Sequence, residues 1–183
     1  MRSERPPYLP GDRAPNADVA RMIRVDQAGE YGATRIYAGQ LAVIRRGRAA
    51  GAIREMAEQE QHHLAQFDRL MGERRVRPTA LSPLWHVAGY ALGAASALLG
   101  EQAAMACTVA VEEVIDGHYA RQAEQLGASD PQLAETIAAA RADELAHRDT
   151  ALAYEAHEAP AYELISATIK AGARFAIWLS ERI

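Results

Sequence analysis

Strictly alternating runs of apolar and β-branched residues are missing from the chain, so the pattern of a half-buried strand does not occur. Every segment after residue 18 is instead dominated by Ala, Leu, Glu, Gln and Arg, with 40 alanines among 183 residues, and these are strong helix formers. The pattern predicts an all-α chain of six helices. Helix 1 is expected over about 18–46, with Asn16 or Asp18 as N-cap and Gly47 just beyond its end. Helix 2 covers about 49–71 and stops at Gly72. Ser82 followed by Pro83 is a cap with proline in the first helical position, which opens helix 3 over about 84–99. Helix 4 runs over about 101–126, where Gly127 closes it. Asp130-Pro131 repeats the cap-proline signal and starts helix 5, expected to reach about 157, and Pro160 starts helix 6, which continues to 183. Helices 1, 2, 4 and 5 are 23 to 29 residues long on these bounds. At 1.5 Å per residue each spans about 35 to 44 Å, the format of a four-helix bundle.

Helices 3 and 6 differ from the other four. Helix 3 (LWHVAGYALGAASALL) carries no formal charge, yet its 16 residues fall short of the roughly 20 needed to cross a bilayer. It is either a buried crossover helix or a helix lying in a membrane interface. Helix 6 (AYELISATIKAGARFAIWLSERI) favours the second, because Ile169, Phe175 and Trp178 sit among Lys170, Arg174 and Arg182, a mix suited to aromatic anchoring and snorkelling. Two such helices would hold the protein on a membrane without spanning it.

Composition narrows the classes. With 49% hydrophobic residues the chain can bury a core, which excludes a disordered protein, and a single cysteine, Cys107, excludes a disulfide scaffold. Without a secretory leader the expected side is the reducing, cytosolic one. The Pro- and Arg-rich residues 1–17 are expected to form a flexible arm ahead of one domain over 18–183. Against 20 basic residues stand 24 acidic ones, a net charge of -4 that offers no basic footprint, so no nucleic-acid partner is expected.

The chemistry lies in two Glu-x-x-His units, Glu60-Gln-His-His63 and Glu144-Leu-Ala-His147. Residues three apart share a helix face, so each unit directs one carboxylate and one imidazole at a common point. Chance placement of 16 Glu and 6 His would give about half such a match, so the spacing needs corroboration. It comes from Glu30 and Glu112, each on the helix before its unit, and from a tyrosine seven positions after each of them, Tyr37 and Tyr119. Glu on one helix and Glu-x-x-His on the next, given twice, is how ferritin-like di-metal carboxylate bundles are built. Four carboxylates with one imidazole per metal suit iron or manganese better than zinc.

Each carboxylate must also be weighed as an ordinary surface group. Glu55 and Glu58 fall about 140° and 160° around helix 2 from Glu60 and belong to a solvated face. Glu30 shares its stripe with Ile23, Asp26, Thr34, Tyr37 and Leu41, where a carboxylate would be buried, which is costly unless it is paired or metal-bound. Glu112 competes with the adjacent Glu113, whose face differs by about 100°. Asp26 and Asp143 are candidates to orient ligand imidazoles through the second ring nitrogen. His118 and Tyr119 are either redox-active neighbours of the centre or a packed pair. His62 and His86 are expected at surfaces and interfaces, His157 as a helix cap or dipole partner, and Cys107 as a small buried hydrophobe.

Four blocks carry a resemblance: RVDQAGEYGATRIYAGQ around Glu30, PLWHVAGYALGAASALLGEQAAMACTVAVEE leading to Glu112, ELAHRD, and the closing AGARFAIWLSERI. Over nearly all of residues 20–183 the chain resembles the demethoxyubiquinone hydroxylase family of ubiquinone biosynthesis. The resemblance implies iron ligands at Glu30, Glu60, His63, Glu112, Glu144 and His147, taking the first glutamate of VAVEE over the second. It implies electron transfer to the iron centre for the pair matching His118 and Tyr119. Gln27 stands where the family pattern suggests His, which leaves the ligand set unaffected.

The implied activity is a monooxygenase using two Fe ions, O₂ and reducing equivalents from NADH on a demethoxyubiquinone with an isoprenoid tail. The apolar helices 3 and 6 would collect that substrate from a membrane surface. The implied location is peripheral, on the cytoplasmic face of a cell membrane or the matrix face of the inner mitochondrial membrane. A lipid-binding accessory protein or quinone-biosynthesis complex, and a homo-oligomer, stay open as partners. No Gly-x-Gly-x-x-Gly fingerprint occurs, so no Rossmann-type nucleotide site is expected. The alternative is a ferritin- or rubrerythrin-like protein handling iron or peroxide with the same six ligands, which would not need an uncharged helix 3.

Overall fold

The computed structural model describes residues 15–183; the expected arm over 1–17 lies outside them except for its last three residues, which are helical. The order is α1 (Pro15–Val43), α2 (Arg48–Arg74), α3 (Ser82–Leu98), α4 (Glu101–Leu126), α5 (Pro131–Ala153), one 3-10 turn (Ala156–Glu158) and α6 (Tyr162–Ser180). Among the described residues the fold is all-α, as the absence of alternation requires. Short connections fold α1 against α2 and α4 against α5, and the two hairpins form the bundle. α3 packs on α1 and α6 packs on α4. Trp85 Nε1 of α3 donates to Ser180 Oγ of α6 at 3.1 Å, tying these two outer helices together.

The bundle interior is layered. At one end Tyr37, Ile53, Met56, Met105 and Val109 pack together. At the other, Ile23, Phe67, Tyr119, Leu133 and Ile137 do so. Along each of the four bundle helices, the residue singled out as a ligand lies between members of these two apolar layers. Glu30 falls between Ile23 and Tyr37, Glu60 between Met56 and Phe67, Glu112 between Val109 and Tyr119, and Glu144 between Ile137 and Ala151. The fold therefore encloses one polar layer between two dry ones.

Several helix ends differ from expectation. α1 is already helical at Pro15, so Asn16 and Asp18 lie inside the helix and not ahead of it, and the helix stops at Val43 instead of residue 46. α2 runs through Gly72 to Arg74 because Arg75 takes the left-handed conformation (φ 54°), and the Val76 N–H reaches Met71 O at 2.9 Å. Ser82 lies inside α3, its hydroxyl donating to Thr79 O, and no side chain caps that helix. Asp130 does cap α5, accepting from the Leu133 N–H at 3.2 Å. α5 ends at Ala153 rather than 157, since Glu155 is left-handed (φ 60°) and the chain tightens into the 3-10 turn. His157 stands in that turn, its ring edge-on to Tyr162 with centroids 4.7 Å apart, and caps no α-helix.

α3 approaches α1 closely enough to exclude side chains. A Cβ built on Gly93 would lie 1.9 Å from Ile36 O, and one on Gly39 would lie 2.2 Å from Tyr90 O. Both obstacles are backbone atoms of a facing helix, which cannot swing aside as a side chain can. Gly93→Ala is therefore expected to destabilise the protein by at least about 1–3 kcal/mol. Gly172→Ala, where the added methyl meets nothing within 4 Å, should instead be neutral or stabilising by up to about 1 kcal/mol. Urea midpoints of the two variants check this; an unshifted midpoint for Gly93→Ala would mean that the helices sit farther apart.

Candidate metal centre

Helical spacing brings all six singled-out residues into the polar layer. Glu30, Glu60, His63 and Glu144 form one group of four, and Glu60, Glu112, Glu144 and His147 form another, each able to present ligand atoms within 4.8 Å of one another. Glu60 and Glu144 belong to both groups. All six side chains are buried, at 0–3% exposure, whereas Glu55 and Glu58 are exposed and Glu113 points outward to pair with Lys170. Burial thus separates Glu112 from Glu113 on structural grounds.

Four carboxylates at one buried point make an unfavourable arrangement if left to the protein's own groups. Burial and the neighbouring Glu144, Glu30 and Glu112 charges push the Glu60 carboxyl well above its ordinary range. Burial and Glu144 do the same to Glu112. Burial and then Glu30, against a lowering contact from Glu112, take Glu144 up to about 8. Seven buried atoms facing the common point have no hydrogen-bond partner: Glu30 Oε2, both oxygens of Glu60, Glu112 Oε2, Glu144 Oε1 and Nδ1 of both histidines. His147 Nδ1 comes within 3.0 Å of Glu60 Oε1, yet outside hydrogen-bonding geometry. Unpartnered lone pairs converging in a dry layer are expensive, and divalent cations satisfy them. The donor set, four carboxylates and one imidazole for each group, fits two hard divalent ions.

The groups around the six are arranged with a crossed symmetry. Tyr37, seven residues after Glu30, donates to Glu112 Oε1 at 2.8 Å. Tyr119, seven residues after Glu112, donates to Glu30 Oε1. Each tyrosine of the repeat thus steadies the glutamate of the other half. The imidazoles are crossed in the same way. His63 Nε2 pairs with Asp143 Oδ2 at 2.9 Å, and His147 Nε2 with Gln59 Oε1 at 2.6 Å. Asp143 precedes Glu144 and Gln59 precedes Glu60, so the residue ahead of one Glu-x-x-His unit orients the histidine of the other. Accepting oxygens at Nε2 fix the tautomer that leaves both Nδ1 lone pairs facing the carboxylates. For His63, burial lowers the ring's proton affinity, but Glu30 and Asp143 outweigh it and the net shift is upward; for His147 burial dominates and the shift is downward.

Asp143 therefore orients an imidazole, that of His63. Asp26 does not: it lies over Glu30 on α1 but turns toward α4, accepting from Gln122 Nε2 at 2.7 Å with His118 Nε2 at 3.3 Å. Gln59 was missed by sequence reasoning because an uncharged residue on an otherwise exposed position attracts no notice; its place ahead of Glu60, matching Asp143 ahead of Glu144, was the available signal. His118 lines a small polar cleft with Arg21, Arg121 and Gln122, and its ring centroid is 6.2 Å from that of Tyr119. His62 is exposed, and His86 makes a surface contact with Tyr31 Oη at 2.6 Å. Cys107 is fully buried, its thiol pushed up to about 12 by that burial.

Beside the centre is an apolar cleft of about 380 Å³ bounded by α1, α3, α4 and α6. Gly29, Ala33, Val111 and Ile115 line it, each one or three residues from Glu30 or Glu112. The outer side of the same helices is apolar as well. Leu84, Val87 and Leu98 on α3, and Leu164, Phe175 and Trp178 on α6, are exposed, Val87 and Leu98 to 65% and 75%. Arg182 lies over the Trp178 ring at 4.2 Å. Among the described residues no helix is long and apolar enough to cross a membrane.

The chain is similar to known proteins over nearly its whole length. Residues 17–180 match the family described as ubiquinone biosynthesis protein COQ7. A Rhodospirillum rubrum protein named 3-demethoxyubiquinol 3-hydroxylase is 58% identical over 96% of this chain and 83% of its own length. A human protein named NADPH-dependent 3-demethoxyubiquinone 3-hydroxylase, mitochondrial, is 52% identical over 94% of this chain and 81% of its own. The 5-demethoxyubiquinone hydroxylase, mitochondrial, of Saccharomyces cerevisiae is 42% identical over 99% and 87%.

The buried carboxylates set a pH dependence for protein stripped of metal. With the Glu144 carboxyl at about 8 in the folded chain against an ordinary 4.5, the folded state holds a proton that the unfolded state has released between those values. Stability should fall as pH rises from about 5 to 8, and Glu144→Gln should flatten the slope. Urea midpoints at several pH values in the presence of a chelator test this; a midpoint rising over that interval would contradict it.

Proposed function

The chain belongs to the family of ubiquinone biosynthesis protein COQ7, and from that premise we propose that it hydroxylates the benzoquinone ring of a demethoxyubiquinone. The observation that carries this is the adjacency of the buried carboxylate-imidazole centre to the apolar cleft of about 380 Å³. A ferritin- or peroxide-handling protein would use the centre but has no need of the cleft or of the exposed apolar helices. The reaction replaces a ring C–H by C–OH, sends the second oxygen atom of O₂ to water, and consumes two electrons and two protons.

Glu30, Glu60, His63 and Glu144 would hold one iron ion, and Glu60, Glu112, Glu144 and His147 the other. Two iron ions held there would supply the activation of O₂, chemistry that side chains alone lack. The protein's own residues do the rest. The apolar layers on either side of the centre exclude water, Tyr37 and Tyr119 fix Glu112 and Glu30, and Asp143 and Gln59 fix the imidazoles. The cleft takes the quinone with the start of its isoprenoid tail.

Electrons come from NADH or NADPH, the latter being the reductant in the human relative's name. His118, at the polar cleft with Arg21 and Arg121, and Tyr119, hydrogen-bonded to Glu30 and with its ring centroid 6.2 Å from that of His118, would pass those electrons from the surface toward the centre. The exposed apolar residues of α3 and α6 rest in a membrane interface, which makes the protein peripheral, on the cytoplasmic face of a cell membrane or the matrix face of a mitochondrial one.

Iron-loaded protein given ¹⁸O₂, NADH or NADPH, and a short-tailed demethoxyquinone should yield a product heavier by one labelled oxygen atom in mass spectrometry. A quinone unchanged in mass under conditions that reduce the iron would overturn the hydroxylase reading. Val87→Asp combined with Leu98→Asp should weaken partitioning onto phospholipid vesicles at least about tenfold, given the apolar area each residue offers. Unaltered sedimentation with vesicles would rule out α3 as a membrane-contacting helix.

A further inference from the structure

The crossed symmetry of the centre is broken behind the imidazoles. The two tyrosines make matching hydrogen bonds, and the two shared glutamates serve both groups, so neither distinguishes the halves. The residues behind the imidazoles do. His63 is backed by the Asp143 carboxylate at 2.9 Å, and His147 by the Gln59 amide oxygen at 2.6 Å. Both oxygens accept from Nε2–H and both leave Nδ1 turned inward, so geometry is conserved while charge is not.

We propose that this difference makes the two metal positions unequal, the Glu30/His63 position binding a divalent cation more tightly and filling before the Glu112/His147 position. The inference rests on the two-metal reading of the site. An anionic acceptor behind a ligating imidazole draws on its N–H and raises the electron density at the opposite nitrogen, whereas a neutral amide only orients the ring. Hydrogen bonds to a charged partner are roughly twice as strong as neutral ones. The Asp143 side chain is 47% exposed, so solvent reduces its through-space Coulomb effect on the centre. The hydrogen bond itself is shielded at the other end by the His63 ring, only 4% exposed, and carries the difference. Asp26, the other carboxylate on this side, is engaged by Gln122 and His118 and makes no contact with either ligating imidazole.

Gln59 is on this account a positioning residue that keeps the second position deliberately weaker while holding His147 in the ligating tautomer. A weaker position exchanges ligands more readily than its partner, and His147 lies with Glu112 in that half. Replacing Gln59 by Glu keeps the acceptor and restores the missing charge.

The test is an anaerobic Fe²⁺ titration of the full chain after metal removal, with the ¹⁵N imidazole signals of His63 and His147 followed separately. The first equivalent should move His63 and the second His147, with dissociation constants separated by about 10–100-fold. Gln59→Glu should tighten the second step and narrow the gap, a gain of affinity that a purely packing role for Gln59 would not produce. Asp143→Asn should weaken the first step and leave the second in place. Simultaneous filling, His147 filling first, or a gap that Gln59→Glu leaves unchanged would overturn the proposal while leaving the two-metal reading intact. Absence of any Fe²⁺ binding would overturn both.

Discussion

Four carboxylates buried at one point constrain this structure more than any other feature. Glu30, Glu60, Glu112 and Glu144 are each at most 2% exposed, and together they contribute a formal charge of -4, the whole net charge of the chain. Without them the remaining residues are formally neutral. Mutual repulsion and lost hydration both oppose such a cluster, so either protons or cations must neutralise it. Two divalent ions supply +4, and the unpartnered oxygens and imidazole nitrogens face the place where such ions would sit. The modest acidity of the chain is thus concentrated in its interior and does not describe an acidic surface.

The rest of the bundle follows from holding that cluster in place. Apolar layers above and below keep water out, and the crossed pairs tie the two hairpins to each other: α1 to α4 through the tyrosines, and α2 to α5 through Asp143 and Gln59. Removing one member of such a crossed pair would loosen a ligand that is far away in the chain. The outer helices serve a different need. α3 lies so close to α1 that glycine is required at the crossing, and together with α4 and α6 these helices enclose an apolar cleft against the ligand-bearing faces. The proposed hydroxylation depends on this juxtaposition of a buried carboxylate-imidazole centre with an apolar cleft.

Much of this could be read from the residues. Composition and the lack of alternation pointed to helices, and the 3.6-residue period put Glu30 on a buried stripe and Glu55 and Glu58 on a wet one. Two of the helix ends that were missed, those of α2 and α5, share a cause: Arg75 and Glu155 adopt left-handed backbone without being glycine, so no residue type marked the stop. Partners across helices were harder. Asp26 and Asp143 looked alike as orienting groups, because rotation of α1 against α4 decides that Asp26 meets Gln122 and His118, and no local pattern encodes that rotation. Yet the repeat held the information in another form. Tyr37 and Tyr119 at the same offset from Glu30 and Glu112, and Gln59 and Asp143 ahead of the two Glu-x-x-His units, are equivalent positions that a two-fold arrangement must pair crosswise.

On the proposed reading, two divalent cations would neutralise the buried carboxylates and thereby hold the bundle together. The most direct test of that reading is calorimetric unfolding of the metal-stripped chain during stepwise anaerobic addition of Fe²⁺, with bound iron counted in the same samples. The account predicts binding that saturates at two ions per chain and an unfolding temperature that rises with occupancy up to that point. Saturation at one ion or none, or an unfolding temperature indifferent to bound iron, would contradict it.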